Sequence, residues 1–183
     1  MKTVKLGDVA IESKTSIKVI PFGTPIVGLE DLDSGSLVLK RWATNEATTF
    51  TKAFKKDDVL FGRRRAYLRK AAIAPFDGVC SGDITVIRAI SDRILPSLLP
   101  FVIQSPIFFD HAVRNSDGSL SPRAKWASLK QFEFCLSEDK SEQQRLVNIL
   151  RNIGATKASY ENVLMMTDRL IKSRFVVREV RHA

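Results

Sequence analysis

The sequence predicts an α+β protein: a head with a mixed or antiparallel sheet and short helices, followed by a long C-terminal α-helix that pairs in a coiled coil. Three observations predict it. Short apolar and β-branched runs such as DITVIRAI (83–90) alternate with turn residues over roughly the first 136 positions. From Ser141 to about Phe175 there is no proline and one glycine, Gly154. In that stretch apolar residues recur on alternating steps of three and four, the spacing of a helix seam.

Taken in order, DDVLFG is a strand ending at Gly62, and KAAIAP is another ending at Pro75. FDGVCSG carries turn chemistry at Asp77-Gly78 and Ser81-Gly82. DITVIRAI has the apolar run of a buried strand. Pro96 fits the first turn of a helix reaching about Gln104, and Pro106 opens the next. The window ILPSLLPFVIQSPIFF (94–109) therefore reads as two short buried helices; its three prolines and its length argue against a membrane span. NSDGSLSPRAKW (115–126) is a polar, basic loop, with Trp126 expected as a core anchor. QFEFCLS alternates as a strand does.

Ser141 to Gln144 matches a capping box, in which serine and glutamine satisfy orphan N–H groups. The seam that follows holds Leu146, Leu150, Ile153, Tyr160, Leu164 and Ile171, with Lys157, Thr167 and Arg174 in its other places. A helix of roughly 35 residues would be about 50 Å long, too long to stand alone in so small a chain. Its seam calls for a partner helix, and Met165 and Met166 are read as packing residues. The expected division is a head at 1–138, the helix at 139–176 and a flexible tail at 177–183.

The 183 residues are 44% apolar and 27% charged, a globular balance, with a formal net charge of +9 that favours a polyanionic partner. Cys80 and Cys135 stand far apart with no metal-ligand spacing, so neither a zinc site nor a disulfide framework is expected. The N-terminus lacks a signal-peptide pattern, and a cytoplasmic location is expected.

The strongest chemical signal is FGRRRAYLRK. Arg63, Arg64, Arg65, Arg69 and Lys70 crowd around Tyr67, and the window from Lys52 to Lys70 holds eight basic and two acidic residues. Arginine forks match phosphate oxygens and the guanine edge, and tyrosine can stack or bond a phosphate. A polyanion would relieve the mutual repulsion of these cations. The basic loop and its flank add Arg114, Ser119, Arg123 and Lys125.

Catalytic signals are weak. The chain lacks the Asn/Asp-Pro-Pro-aromatic element of amino-methyltransferases and any glycine-rich cofactor loop after a strand. Glu12 and Lys14 in IESK, with Asp8 upstream, have the E-x-K spacing of metal-dependent nucleases, which arises often by chance. His111 and His182 stand apart, and no nucleophile set is visible. No catalytic or metal-binding residue is expected.

One order of features is specific: KLGDVA at the start, IVGLEDLDSG near residue 26, then DDVLFGRRRAYLRKAAIAPFDGVCSGDITVIRA. LPFVIQSPIFFDHA, GSLSPRAKW, SLKQFEFCLS and SEQQRLVNIL follow. Over nearly the whole chain to about residue 175, this series resembles one half of a type I restriction–modification specificity subunit, a target recognition domain plus one spacer helix. The resemblance implies a non-catalytic reader of double-stranded DNA that directs methyltransferase subunits to a bipartite site. The methyltransferase would methylate adenine with S-adenosylmethionine, which this chain itself would not bind, and a restriction and translocase subunit could join. With one head and one helix, the expected arrangement is a homodimer through antiparallel C-terminal helices, reading a symmetric interrupted site. The rival readings are a stand-alone dimeric DNA- or RNA-binding regulator and, more remotely, the metal-dependent nuclease.

Overall fold

A computed structural model describes residues 1–44 and 47–180, with 175–180 as helix backbone. It divides into two units, Met1–Gln144 and Arg145–Ala183. His182 and the end of the expected tail lie outside the described residues.

The first unit is built on a four-stranded antiparallel sheet. Its order is β2 (Ala10–Glu12), β8 (Ile84–Ala89), β5 (Val59–Gly62), β6 (Ala71–Ile73). Beside it stands a mixed three-stranded sheet, in which β7 (Gly78–Cys80) lies between β3 (Ile26–Val27), parallel, and β4 (Lys52–Phe54), antiparallel. The N-terminal strand β1 (Lys2–Lys5) pairs antiparallel with β11 (Glu133–Leu136), as Lys2 opposite Leu136 and Lys5 opposite Glu133. Helix α1 (Leu6–Val9) follows β1 directly, with Asp8 Oδ2 accepting the Lys5 N–H at 2.9 Å.

Strand alternation explains how the core is shared. Leu60 sits opposite Ala72 and Val86, and all three enter one cluster with Val27, Leu32, Leu39, Phe54 and Ile84. Phe61, one residue on, must face the other way. It meets Phe108 and Phe109 at ring-centroid distances of 5.5 and 5.9 Å, on α3 (Pro106–Arg114). Phe132 continues that row 5.1 Å from Phe108. Because β5 is buried on both faces, its sequence is a continuous apolar run rather than an alternating one.

The two expected buried helices are present, with one shifted. Ser105 caps α3, its hydroxyl accepting the Phe108 N–H, and Pro106 is the first residue, as expected. Helix α2 (Leu99–Ile103) starts three residues past Pro96, and it is Pro100 that lies in its first turn. The expected loop at 115–126 contains a small hairpin, β9 (Ser116–Asp117) against β10 (Arg123–Ala124). Trp126 opens the short helix α4 (Trp126–Leu129) half-buried, so it is not the core anchor expected; Leu129 has that place. Cys80 is fully buried in β7, and burial pushes its thiol up to about 12, whereas Cys135 is exposed.

The long helix α5 runs from Lys140 to Val180, past the end expected at 176. At 1.5 Å per residue it is about 60 Å long. Its cap is Asp139 rather than Ser141, with Asp139 Oδ1 accepting the Ser141 N–H at 2.8 Å. Gln143 is buried, accepting the Leu95 N–H (2.8 Å) and donating to Ser137 O (2.7 Å), which fixes the first turn. In the second unit Leu146, Ile153, Tyr160, Leu164 and Ile171 are exposed and Leu150 is half-buried. Ile149, Val163 and Leu170 are exposed beside them and form a second row that the expected seam left out.

One ion pair ties the sheet to the turn before β5. Asp58, 2% exposed, accepts from Arg88 Nε and NH2, both at 2.7 Å, and from the Lys55 N–H at 2.8 Å. The bonds to Asp58 raise the Arg88 pKa above its ordinary value. Asp58→Ala should destabilise the head by about 2–3 kcal/mol in urea unfolding. That is less than a fully buried pair would lose, since Arg88 can turn partly to water.

Candidate nucleic-acid interface

Strand β5 carries the first arginines out of the core. A Cβ at Gly62 would stand 2.8 Å from Leu29 Cδ1 and 3.2 Å from Lys70 Cβ and Lys70 O, so a side chain there would require the Leu29 tip and the Lys70 strand to give way. The chain then loops from Arg63 to Lys70 and returns as β6. Arg65 (φ 54°) and Arg69 (φ 50°) both adopt the left-handed conformation, one on each side of the 3₁₀ turn Ala66–Leu68. Such residues cost of the order of 1–3 kcal/mol each and persist where neighbours over-determine them. Here Leu68 N–H donates to Arg65 O and Arg69 N–H to Ala66 O, both at 2.9 Å, over a buried Ala66.

The hairpin β9–β10 comes to the same place. Ala124 N–H donates to Arg63 O, and Arg65 N–H donates to Pro122 O, each at 2.8 Å. Two basic segments some 57 residues apart thus share a backbone seam, with Arg64 bridged to Arg123. Their side chains converge on one carboxylate. Asp83 lies in the turn before β8; its Oδ1 accepts from Arg123 Nε at 3.0 Å, and its Oδ2 pairs with Arg64 NH1 at 3.5 Å. Arg64 Nε also donates to Ser121 Oγ at 2.7 Å. The Arg63 N–H donates to Asp83 O at 2.9 Å, which places the carboxylate.

The other expected residues divide by environment. Tyr67 is exposed on the 3₁₀ turn. Arg69 pairs with Asp110 of α3 at 3.1 Å, and Lys125 with Asp117 at 2.9 Å. Both pairs are half-exposed or more, so each contributes roughly 0–1 kcal/mol and can be exchanged for a phosphate at little cost. Arg65 and Arg114 are exposed, with no ion pair among the described residues. Arg63 is half-buried, and its Nε has no hydrogen-bond partner. Lys70 turns inward, its ammonium donating to Leu29 O at 3.0 Å, so it serves the fold more than the surface. Ser119 is exposed on the hairpin turn, and it is Ser121 that holds an arginine.

Asp83 and Ser121 were missed by sequence reasoning. An acid in an SGD turn has no signature; only the fold brings it against Arg64 and Arg123. The residues of the nuclease reading do not form a site. Asp8 is engaged by the Lys5 N–H, and among the described residues no group of three His, Cys, Asp or Glu side chains could hold a metal ion. His111 is structural, its Nε2 3.0 Å from Ser128 O and its ring against Phe132. Among the described residues, no helix is long and apolar enough to cross a membrane.

No family model matches the sequence, and no curated protein matches it. Solved structures match the fold. A chain from a structure of the assembly and conformational transition of the type I R-M system aligns with a TM-score of 0.73 at 17% identity, over 87% of this chain and 44% of its own. The HsdS subunit from Thermoanaerobacter tengcongensis aligns with a TM-score of 0.73 at 22% identity, over 88% of this chain and 44% of its own. The type I restriction-modification system S subunit from M. genitalium aligns at 0.57 and 12% identity, over 84% and 39%. The chain therefore has the fold of these subunits and spans less than half of their length.

Asp83→Asn leaves two arginines without a counter-charge. Duplex DNA of arbitrary sequence should then bind about two- to fivefold more tightly at low salt, the effect of one partly exposed charge. Preference among sequences should fall, measured by competition against a random pool; unchanged affinity and preference would show that Asp83 does not set the arginines' charge.

Proposed function

We propose that this chain reads double-stranded DNA as a specificity component of a type I restriction–modification system. In this reading it does no chemistry itself. It brings methyltransferase subunits, which use S-adenosylmethionine on adenine, to one half of a bipartite site; a restriction and translocase subunit joins the same assembly. The observation that carries the reading is the joining of the arginine loop and the basic hairpin around Asp83, on a head with the fold of S subunits. Arg64, Arg65, Arg69, Arg114, Arg123, Lys125 and Tyr67 form the contact set. Some grip phosphates and fix register, while one or two read base edges.

The α5 stripe supports the assembly part. Its two rows make it wider than the seam of a two-stranded coiled coil, wide enough for more than one partner helix. A second copy of the chain, antiparallel, covers one row and sets the gap between two heads; a methyltransferase helix covers the other. A stand-alone regulator would instead need only the first partner, and pull-down of a methyltransferase by the intact chain separates the two.

Two measurements test the proposal. Replacing Arg64, Arg65 and Arg123 with alanine should flatten the plot of log affinity against log salt by roughly 2–3 units, about 0.9 for each phosphate that is no longer neutralised. An unchanged slope would sink the placement. Light scattering should give twice the 20.5 kDa chain mass, falling to one chain when Ile153 and Tyr160 are changed to glutamate. A single-chain mass at every concentration for the unaltered protein would exclude the self-pairing.

A further inference from the structure

The hairpin tip holds a residue that hydrogen bonding does not explain. Leu120 is 92% exposed, between Ser119 and Ser121. Single exposed leucines are ordinary, so exposure alone says nothing. Its position is what matters. The turn is shaped by Gly118 at φ 106°, and the stem below is paired as Arg123 opposite Asp117. The residues just past the tip are anchored, Ser121 by Arg64 Nε and Pro122 by the Arg65 N–H. The tip is therefore tied to the arginine loop, one residue from an arginine-held serine.

The width of a two-stranded ribbon matches the major groove, which is roughly 12 Å across, and not the minor groove at about 6 Å. Leucine has no donor or acceptor, so it cannot read the polar pattern of a base edge. The major-groove edges offer one apolar group, the C5-methyl of thymine. We propose, resting on the DNA-reading function above, that Leu120 is a specificity-determining residue that selects thymine through this methyl. Arg123, on the adjoining strand and held by Asp83, is placed to read or steady the neighbouring base pair.

The test uses a duplex that the intact chain selects from a random-sequence pool, with each thymine replaced in turn by deoxyuridine, which lacks only the methyl. One replacement should weaken binding about fourfold, the effect of burying one methyl-sized apolar group. Leu120→Ala should weaken binding to the thymine duplex by a similar factor and show no further weakening with deoxyuridine at that position. The salt slope should stay the same throughout, because the same phosphates are neutralised. If no thymine couples to Leu120, or if Leu120→Ala weakens both duplexes alike, the proposal is overturned. A protein-induced bend that Leu120→Ala removes would overturn it too, since the leucine would then be a wedge between bases. Absence of any salt-dependent duplex binding by the unaltered chain is a separate result, and it would remove the DNA-reading function as well.

Discussion

The surface of the head depends on one constraint: Asp83 holds Arg64 and Arg123 together. Two guanidinium groups on adjoining segments repel, and an intervening carboxylate turns that repulsion into a bridge. The backbone bonds between 63–65 and 122–124 then need no charged partner of their own. The arrangement leaves a net positive charge, with the directions of Arg64 and Arg123 set before a ligand arrives. Pre-setting matters because arginine loses much rotamer freedom when it is pinned, and freedom already lost in folding does not weaken binding.

The same restraint runs down into the core. The arginine loop begins where the fully buried strand β5 ends, Phe61 at full burial and Gly62 at a close approach to Leu29 and Lys70. It returns through Lys70, whose ammonium is fastened to Leu29 O. Both ends of the loop are therefore clamped to the sheet within one residue of the exposed cations. A surface built this way transmits little slack. Asp58 and Arg88 act lower down, joining the turn before β5 to β8, the strand that Asp83 introduces.

What the sequence revealed follows from how local each signal is. β5, β6, β8 and β11 were legible because their apolar runs end at glycine, proline or turn residues. Helix α3 was legible from Ser105-Pro106. β1, β2, β3, β4 and β7 were not read, since each holds at most two consecutive apolar side chains, whereas β5, β6 and β11 hold three. β7 also falls between two turn dipeptides that masked it. Pro96 misled because Pro100 fits the same rule and lies in the actual first turn. Of the site, the arginine run and the basic loop were both visible, but the hairpin inside that loop and its union with the arginines were not. That union rests on Asp83, 19 residues from Arg64 and 40 from Arg123. A tertiary ion pair leaves no trace in spacing.

The long helix poses a different problem, and its own composition answers part of it. Isolated helices gain little from propensity alone, and most of the stability of a helix comes from packing an apolar stripe. From Arg145 on, α5 carries Gly154, Thr156, Val163 and Thr167, none of them strong helix formers. Among its described residues, Ile149, Ile153, Tyr160, Val163, Leu164, Leu170 and Ile171 face water, so packing within the unit adds little. Ordering of this helix and covering of its stripe are therefore thermodynamically linked. Whatever binds the stripe also stabilises the helix.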